Sequence, residues 1–312
     1  SLFHDIVTFL FTLFFLLKTR PNISISFTPK IGFFVSLASF FIRTPIRIHW
    51  FTGQIWAQRK GFIRVFYKLT DKLIFFLSHK VLIDSFSQRS FLIKEKVISL
   101  SKSTVLYKGS VGGINPVKFK FNKKKRTELR KQHSISKKTF IFLYLGRINH
   151  DKGIIELMEA FKRIKKKNNV LLIFVGKIED EKLTYLLKNN EKVLHFDYSD
   201  EPENWFSMAD ILCLPSHREG FGTVIIEAAS CGIPTLCSNI YGLHDAVIDN
   251  KTGFFHKVRS ADDIKKKILN IIKNKKIVKR YGISARKKVL IDFEQSLVTK
   301  DLLRFIKSNI VI

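Results

Sequence analysis

The 312-residue sequence predicts an α/β protein with two doubly wound domains that face a cleft. Along most of the chain, short apolar segments typical of strands alternate with segments of helical periodicity. Such alternation predicts parallel sheets with helices on both faces. A glycine- and proline-containing segment, Gly109–Pro116, interrupts the pattern, and the length suits two domains better than one.

The first half opens with two apolar helices and then continues as alternating strands and helices. The predicted elements are a helix at 4–18, a strand at 22–28, a helix at 31–42, a strand at 46–52, a basic helix at 59–78, a strand at 80–85 and a short helix from Gln88. The first helix contains His4 and Asp5 and is shorter than the roughly 20 apolar residues of a membrane span. It also lacks the basic start and the cleavage site of a signal peptide. We expect both apolar helices to be buried; a membrane-dipping helix on a peripheral protein is the alternative.

The second half repeats the alternation. Strands are predicted at 139–146, 170–176, 192–197, 210–216 and 234–238, and helices at 153–164, 181–190, 203–209, from Gly222 or Thr223, at 244–249, at 260–274 and over the last 30 residues. We therefore predict an N-terminal domain at 1–112, a linker at 113–120 and a C-terminal domain at 121–290. A terminal helix at 291–312 is expected to pack back toward the N-terminal domain.

The charge and the cysteines limit the possible partners. A net charge of +29 favours an anionic partner, although an AT-rich genome would also produce many lysines. The basic residues are dispersed and form no recognition module, so we expect no specific nucleic-acid partner. Cys213, Cys231 and Cys237 have no Cys-x-x-Cys spacing, which indicates reduced core thiols in a cytosolic protein.

The segment "PSHREGFGTVIIEAASCGIP", Pro215–Pro234, follows a predicted strand and opens a helix. Glycines allow close backbone approach to a ligand, and the helix start offers free N–H groups to phosphate or sugar oxygens. Glu219 lies before the helix and Glu227 lies about 7 Å along it, too far apart to share a proton but suited to two parts of one ligand. Alternatively, Glu219 compensates the helix dipole and Glu227 is an ordinary surface residue, although its apolar neighbours favour a specific partner.

A second segment, "YLGRINHDKGIIELMEAF" at Tyr144–Phe161, also joins a strand end to a helix start. Arg147 and Lys152 flank this loop. A guanidinium fork and a compact ammonium group together suit a diphosphate. Alternatively, they are ordinary surface cations, and charge counting alone favours that interpretation.

Taken together, these two segments and the turn "NKTGFF" resemble glycosyltransferase family 4, retaining enzymes of the GT-B fold with two Rossmann-like domains. Two further segments, "RIHWFTGQIWAQRKG" and "YKGSVGGINPVKF", resemble members that build bacterial surface polysaccharides, lipopolysaccharide and capsule. The resemblance implies that Arg147 and Lys152 bind the donor diphosphate, that Glu227 holds the ribose hydroxyls and that Glu219 lies beside the transferred sugar. It also implies that the backbone of Gly220, Phe221, Gly222 and Thr223 completes this site, and that the base lies near Phe196 and Tyr198.

Two features depart from the family pattern. Thr52 stands where many members have a histidine, and the nearest histidine, His49, lies three residues earlier. His49 is therefore a weak catalytic candidate, and a buried or backbone-bonded histidine is the alternative. The first domain also lacks the opening strand and glycine-containing loop of the family, so we expect a truncated N-terminal domain.

The resemblance implies transfer of a hexose-type sugar from a nucleoside diphosphate sugar, UDP being favoured, to a lipid-linked or polysaccharide acceptor with retention. It implies no metal and no further cofactor. We expect a cytoplasmic protein that is peripheral on the inner membrane, with Arg59, Lys60, Arg64 and Lys68 on anionic lipid or simply solvated. The alternatives are a truncated remnant that binds without transfer, a nucleic-acid-binding protein and a sugar-nucleotide epimerase.

Overall fold

The computed structural model describes residues 2–165, 168–188 and 190–310. The chain divides into two compact units. Unit 1 contains the chain up to Gly112, the short segment Arg218–Phe221 and the chain from Ser296 onward. Unit 2 contains Gly113–His217 and Gly222–Gln295.

Unit 1 is built on a parallel sheet whose four strands lie in chain order. Its elements are α1 (Leu2–Thr19), β1 (Ile23–Phe27), α2 (Pro29–Phe41), β2 (Ile46–Phe51), α3 (Gly61–Leu77), β3 (Lys80–Ile83), α4 (Phe86–Lys94) and β4 (Ser103–Val105). Because parallel strands in sequential order are joined by right-handed crossovers, α2, α3 and α4 lie on the same face of the sheet. Phe51, Trp56, Ile74 and Leu92 belong to the core on that face.

Unit 2 is built on a six-stranded parallel sheet in the order β10-β9-β8-β5-β6-β7. Its elements are α5 (Lys123–Gln132), β5 (Phe140–Leu145), a 3₁₀ turn (His150–Lys152), α6 (Ile154–Lys162), β6 (Val170–Val175), α7 (Glu181–Lys188), β7 (Val193–Phe196), α8 (Pro202–Met208), β8 (Ile211–Leu214), α9 (Thr223–Ser230), β9 (Thr235–Ser238), α10 (Leu243–Ala246), β10 (Gly253–His256), α11 (Ala261–Lys273) and α12 (Lys275–Asp292). From β5 the chain builds outward through β6 and β7, then returns to the other side of β5 and builds outward through β8, β9 and β10. The switch point of this doubly wound sheet therefore lies between β5 and β8.

The last helix, α13 (Gln295–Ile310), belongs to unit 1 from Ser296 onward. Its Leu302 and Phe305 pack on the second face of the unit 1 sheet, against the core that contains Ile48, Trp50 and Leu82. Both faces of the unit 1 sheet are therefore covered by helices.

Three elements escaped prediction: β4, α5 and β10. Helix α5 has Leu129 as its single apolar residue, so it has no apolar stripe. It is held instead by Arg126 and Arg130, which bind the two carboxylate oxygens of Asp210 at 2.7 and 3.0 Å. Ion pairs of this kind stabilise a helix that has no apolar pattern, so hydrophobic periodicity does not predict such a helix.

The prediction that α1 is buried was wrong. Among its described side chains only Leu16 is buried, whereas Phe3, Phe11 and Phe14 are largely exposed. In the part of the chain that the structure describes, no helix combines the length and apolarity required to cross a membrane.

Candidate functional site

The loops that follow β5 and β8 come together at the switch point of unit 2. Gly153, with a φ of 69°, closes the 3₁₀ turn after β5, and a side chain there would overlap the Pro215 carbonyl oxygen that follows β8. The His217 amide donates a 2.9 Å hydrogen bond to the Asp151 carbonyl. Because β5 and β8 are neighbours, both loops lie at the carboxyl edge where open α/β sheets bind ligands.

Arg147 and Lys152 bring positive charge to this edge. The Tyr144 hydroxyl fixes the backbone between them by donating a 2.6 Å hydrogen bond to the Arg147 carbonyl. The Arg147 side chain is exposed, and its Nη1 lies 3.4 Å from Oε1 of Glu179. Asn149 donates a 2.7 Å hydrogen bond to the same carboxylate, and this bond together with the nearby cations lowers the pKa of Glu179.

The start of α9 supplies free backbone donors at the same edge. Gly222 precedes the helix with a φ of 77°, a conformation that favours glycine, and an added Cβ would lie 2.7 Å from Leu243. No side-chain hydrogen bond caps this helix start, and the Ile225 amide already donates a 2.9 Å hydrogen bond to the Gly222 carbonyl. The first-turn amides of Thr223 and Val224 are therefore the donors that this helix start offers to an anion.

Glu227 lies in the middle of α9 between the buried side chains of Ile226 and Ala228. Burial raises the pKa of its carboxyl to about 7; the Lys118 charge opposes this shift and Glu203 adds to it. A carboxyl in this setting gains from hydroxyl hydrogen bonds, which favour its ionised form.

A buried histidine–carboxylate pair that the sequence analysis missed supports this edge. Nε2 of His217 lies 2.9 Å from Oε1 of Glu156 in α6, and His217 is 2% exposed. Burial opposes ionisation of Glu156, but its bonds to His217 and to its own backbone amide, with the nearby histidine charges, leave its pKa below the ordinary value. The two residues are 61 positions apart, so no local pattern could have paired them.

One cluster in unit 2 could hold a cation. His150, Asp151 and His217 each offer a ligand atom, and these atoms lie within 4.8 Å of one another. The expectation that no metal takes part stays a prediction.

Glu219, Gly220 and Phe221 lie in the segment that packs with unit 1. Gly220 is buried, an added Cβ would overlap Oδ2 of Asp84, and Ser85 Oγ donates a 2.9 Å hydrogen bond to the Gly220 carbonyl. Phe221 is buried and lies close to Gly109. This backbone therefore fits tightly against the loops that follow β2 and β3.

Asp84, which the sequence analysis also missed, lies beside this segment. Trp50 Nε1 donates a 2.8 Å hydrogen bond to its Oδ1. Burial raises the pKa of Asp84 to about 7; the Trp50 bond lowers it, and the charge of Glu219 raises it further. A sequence signal existed, since Asp84 directly follows the apolar strand β3.

The environment of His49 does not support a catalytic assignment. The ring is buried, its Nδ1 lies 2.8 Å from Ser26 Oγ, and it packs edge-on against Phe51. Burial lowers the pKa of His49 to about 3, which keeps the ring neutral. This favours the core histidine that was the stated alternative.

Phe196, which ends β7, and Tyr198, which follows the strand, were expected near the base. The Phe196 ring packs against His133 and Trp205, with centroids 4.6 and 4.7 Å away, and its carbonyl accepts a 2.9 Å hydrogen bond from the Gly176 amide. Tyr198 is exposed, and a hydrogen bond with Asp200 raises its pKa. The Tyr198 ring is therefore accessible, whereas the Phe196 ring is part of an aromatic cluster.

Residues 125–288 match the protein family described as glycosyl transferases group 1, a span of more than half the chain. The chain belongs to this family. It is 32% identical over 308 residues to the capsular polysaccharide biosynthesis glycosyltransferase CapM of Staphylococcus aureus, a match that covers 97% of this chain and 80% of that protein. It is also 29% identical over 187 residues to the lipopolysaccharide 1,2-N-acetylglucosaminetransferase of Salmonella typhimurium, which covers 55% of this chain and 48% of that protein.

Solved structures of glycosyltransferases share the fold. Anabaena HepE in complex with UDP-glucose superposes with a TM-score of 0.78 at 18% identity, over 91% of this chain and 78% of that one. WaaG, a glycosyltransferase involved in lipopolysaccharide biosynthesis, superposes with a TM-score of 0.67 at 18% identity, over 81% and 73%. The predicted GT-B fold class, with two Rossmann-like domains, and the assignment as a glycosyltransferase are confirmed.

Proposed function

We propose that this glycosyltransferase moves a hexose-type sugar from a nucleoside diphosphate sugar, UDP being favoured, to a lipid-linked or polysaccharide acceptor, with retention of configuration. The observation that carries the proposal is the convergence of Arg147, Lys152 and the open start of α9 at the switch point of unit 2. Two cations and the first amides of an uncapped helix start, all at one sheet edge, suit a diphosphate.

The proposed chemistry breaks the bond between the anomeric carbon and the diphosphate oxygen and forms a bond from that carbon to the acceptor oxygen. The diphosphate gains negative charge as it leaves, and Arg147, Lys152 and the α9 amides stabilise that charge. The acceptor hydroxyl gives up its proton to the departing diphosphate oxygen as the new bond forms. Retention requires the acceptor to approach the face from which the diphosphate departs.

The carboxylates have different tasks in this proposal. Glu227 accepts hydrogen bonds from the ribose hydroxyls, Glu219 lies beside the transferred sugar, and backbone groups from Gly220 to Thr223 contact sugar and phosphate. The base stacks near Tyr198, whose ring is exposed. The proposed mechanism uses no metal ion.

The names of related proteins support the substrate class. HepE was solved with UDP and with UDP-glucose, and CapM and the Salmonella transferase are named for capsule and lipopolysaccharide synthesis. We therefore propose a role in cell-envelope polysaccharide synthesis, at the cytoplasmic face of the inner membrane, where a lipid-linked acceptor would be found.

A transfer assay tests the proposal. The purified chain is incubated with radiolabelled UDP-glucose, UDP-galactose or UDP-N-acetylglucosamine and a bacterial lipid-linked oligosaccharide fraction, and label in the organic phase is counted. We expect transfer from one donor, loss of transfer in Arg147→Ala, and an anomeric configuration by NMR that matches the donor. Nucleotide binding without transfer would support the alternative of a truncated, non-catalytic remnant, and an epimerised free nucleotide sugar would support the epimerase.

A further inference from the structure

Helix α3 exposes a continuous apolar stripe on the surface of unit 1. Its members recur at helical spacing and are all exposed: Phe62, Val65, Phe66, Leu69, Leu73 and Phe76. Phe62 is 82% and Phe76 is 71% exposed. On the opposite side of the helix, the side chains of Asp71, Ile74 and Leu77 are buried. We call these six residues the α3 stripe.

Helix α1 carries a second stripe of the same kind. Its outward residues also recur at intervals of three and four: Phe3, Ile6, Val7, Leu10, Phe14 and Leu17. Helix α1 packs against α2, and α2 packs against α3, so the three helices are neighbours in unit 1. Isolated exposed apolar residues are normal on a protein surface, but two exposed apolar stripes on helices that both pack against α2 mark an interaction surface.

The charge around the two stripes is positive. Exposed basic residues lie at the ends and borders of the three helices: Lys18, Arg20, Arg43, Arg59, Lys60 and Lys72. The acidic residues of the chain up to Gly112 do not offset them. Asp71 and Asp84 are buried, Asp5 pairs with Lys30 at 2.5 Å, and Glu95 pairs with Arg64 and Lys68.

This pairing changes the earlier expectation about the basic face of α3. Arg64 and Lys68 lie 2.7 and 2.6 Å from Glu95 and also lie over the Trp56 ring, at 5.5 and 5.6 Å from its centroid. Both side chains are therefore held by contacts with Glu95 and Trp56 within unit 1. Of the four basic residues singled out in the sequence, only Arg59 and Lys60 remain exposed beside the α3 stripe.

We propose that the α1 and α3 stripes dock on the surface of an anionic lipid bilayer, with their aromatic and aliphatic side chains in the interfacial layer. The basic border faces the anionic headgroups, and the apolar stripes provide affinity that salt does not screen. Neither helix is suited to span a bilayer, which agrees with a helix that lies in the interface. This inference names the membrane surface of the proposed function and rests on that function only for its physiological setting.

Vesicle co-sedimentation tests the proposal. The full chain is mixed with vesicles of phosphatidylethanolamine and phosphatidylglycerol, or of phosphatidylcholine alone, at low and high salt. We expect binding to the anionic vesicles that weakens with salt but persists. The triple variant Phe62→Ser, Phe66→Ser, Phe76→Ser should bind at least about tenfold more weakly, because three large apolar side chains no longer enter the interface.

A matched control replaces exposed apolar residues elsewhere. Ile283→Ser with Ile291→Ser changes two exposed side chains of α12 in unit 2 and should leave vesicle binding unchanged. Arg59→Gln with Lys60→Gln should reduce binding at low salt and have little effect at high salt. The variant Phe3→Ser with Phe14→Ser removes two members of the stripe on α1 and should also weaken binding to the anionic vesicles.

Three outcomes would overturn the proposal: no binding of the wild type to anionic vesicles, equal binding of the α3 triple variant, or a wild-type dimer in light scattering that this variant dissociates. The last result would assign the stripes to a second copy of the chain. Nucleotide binding in solution, measured on the same variants, shows whether they are folded and whether the donor site exists. Failure of lipid docking and failure of the proposed function are therefore distinguishable.

Discussion

The guanidinium of Arg147 and the carboxylate of Glu179 form an exposed ion pair, with Nη1 of Arg147 3.4 Å from Oε1 of Glu179. The same carboxylate is held by Asn149 through a 2.7 Å hydrogen bond. A diphosphate that binds Arg147 therefore competes with Glu179 for the guanidinium.

Removal of this competitor should strengthen donor binding. We predict that Glu179→Gln lowers the KM for the nucleotide sugar by up to about fivefold, because an exposed ion pair contributes only about 0.2–1 kcal/mol. Steady-state kinetics at low salt measures the change. Glu159→Gln, which removes the partner of Arg163 at 3.6 Å, serves as the control and should have no effect. A higher KM in Glu179→Gln would show that Glu179 helps to bind the donor.

Arg147 should matter more for the reaction than for the fold. We predict that Arg147→Ala lowers kcat/KM by about 10²- to 10³-fold, the usual effect of removing one donor to a developing anion. Thermal stability should change little because the side chain is exposed. Arg163→Ala removes a cation paired at the surface with Asp262 and should keep full activity. Equal activities of the two variants would exclude Arg147 from the diphosphate site.

The affinity for nucleotide should depend on the ionisation of Glu227. Its pKa is raised to about 7, chiefly by burial, so the carboxylate proposed to accept ribose hydrogen bonds forms as the pH rises from 6 to 8. Nucleotide affinity should therefore increase over this range in the wild type by more than in Glu227→Gln. At pH 8 the variant should bind about 10- to 100-fold more weakly, as expected for a charged hydrogen bond. Calorimetric titration at both pH values checks this, and parallel pH profiles would contradict it.

Unit 1 should lose stability as the pH rises through neutrality. Burial raises the pKa of Asp71 from 3.8 to about 7 despite a 2.7 Å hydrogen bond from Trp56, and burial also raises that of Asp84 to about 7. Between the unfolded and folded pKa values the native state binds more protons, so unfolding becomes easier with increasing pH. Urea unfolding followed by Trp fluorescence at pH 5 and pH 8 should show this decline.

The Asp71→Asn variant isolates one of the two carboxyls in that experiment. Its stability should vary less between pH 5 and pH 8 than that of the wild type. Asp5→Asn, a change at an exposed ion pair with Lys30, should leave the decline unchanged. Equal changes in stability between pH 5 and pH 8 in the wild type and in Asp71→Asn would contradict the raised pKa of buried Asp71.

The close fit of Gly220 against Asp84 should be sensitive to a single methyl group. We predict that Gly220→Ala lowers transfer activity at least about tenfold, because the new Cβ overlaps the Asp84 carboxylate and lies 2.9 Å from the Gly53 amide nitrogen. In the double variant with Asp84→Ala, the combined loss should be smaller than the sum of the single losses. Strict additivity would show that the two residues do not meet.

Much of this architecture follows from patterns within short segments. The apolar runs at Phe140–Leu145 and Ile211–Leu214 predicted strands, and the glycines after them predicted the loops that carry Arg147 and Gly222. The interactions between distant segments could not be derived in this way. Apolarity alone could not say whether α1 is covered, and helix α5 depends on salt bridges from Arg126 and Arg130 to Asp210.

The same limit applies to the residues of the candidate site. The motifs supplied Glu227 and Lys152, but the bond between His217 and Glu156 joins a loop to helix α6, far apart in sequence. His49 looked reactive as a residue type, yet its contacts with Ser26 and Phe51 belong to a core. Burial, which decides between such roles, is a property of the folded chain.

The central claim is that unit 2 of this chain holds a nucleoside diphosphate. Thermal stability with UDP, GDP, ADP and CMP in turn, at about 0.3 M salt to screen nonspecific polyanion binding, tests it most directly. The account predicts that one nucleotide, UDP, stabilises the wild type, by about 2.7 kcal/mol at 100 times its dissociation constant, and stabilises neither Arg147→Ala nor Glu227→Ala. Equal stabilisation by all four nucleotides, or by none, would contradict the donor site.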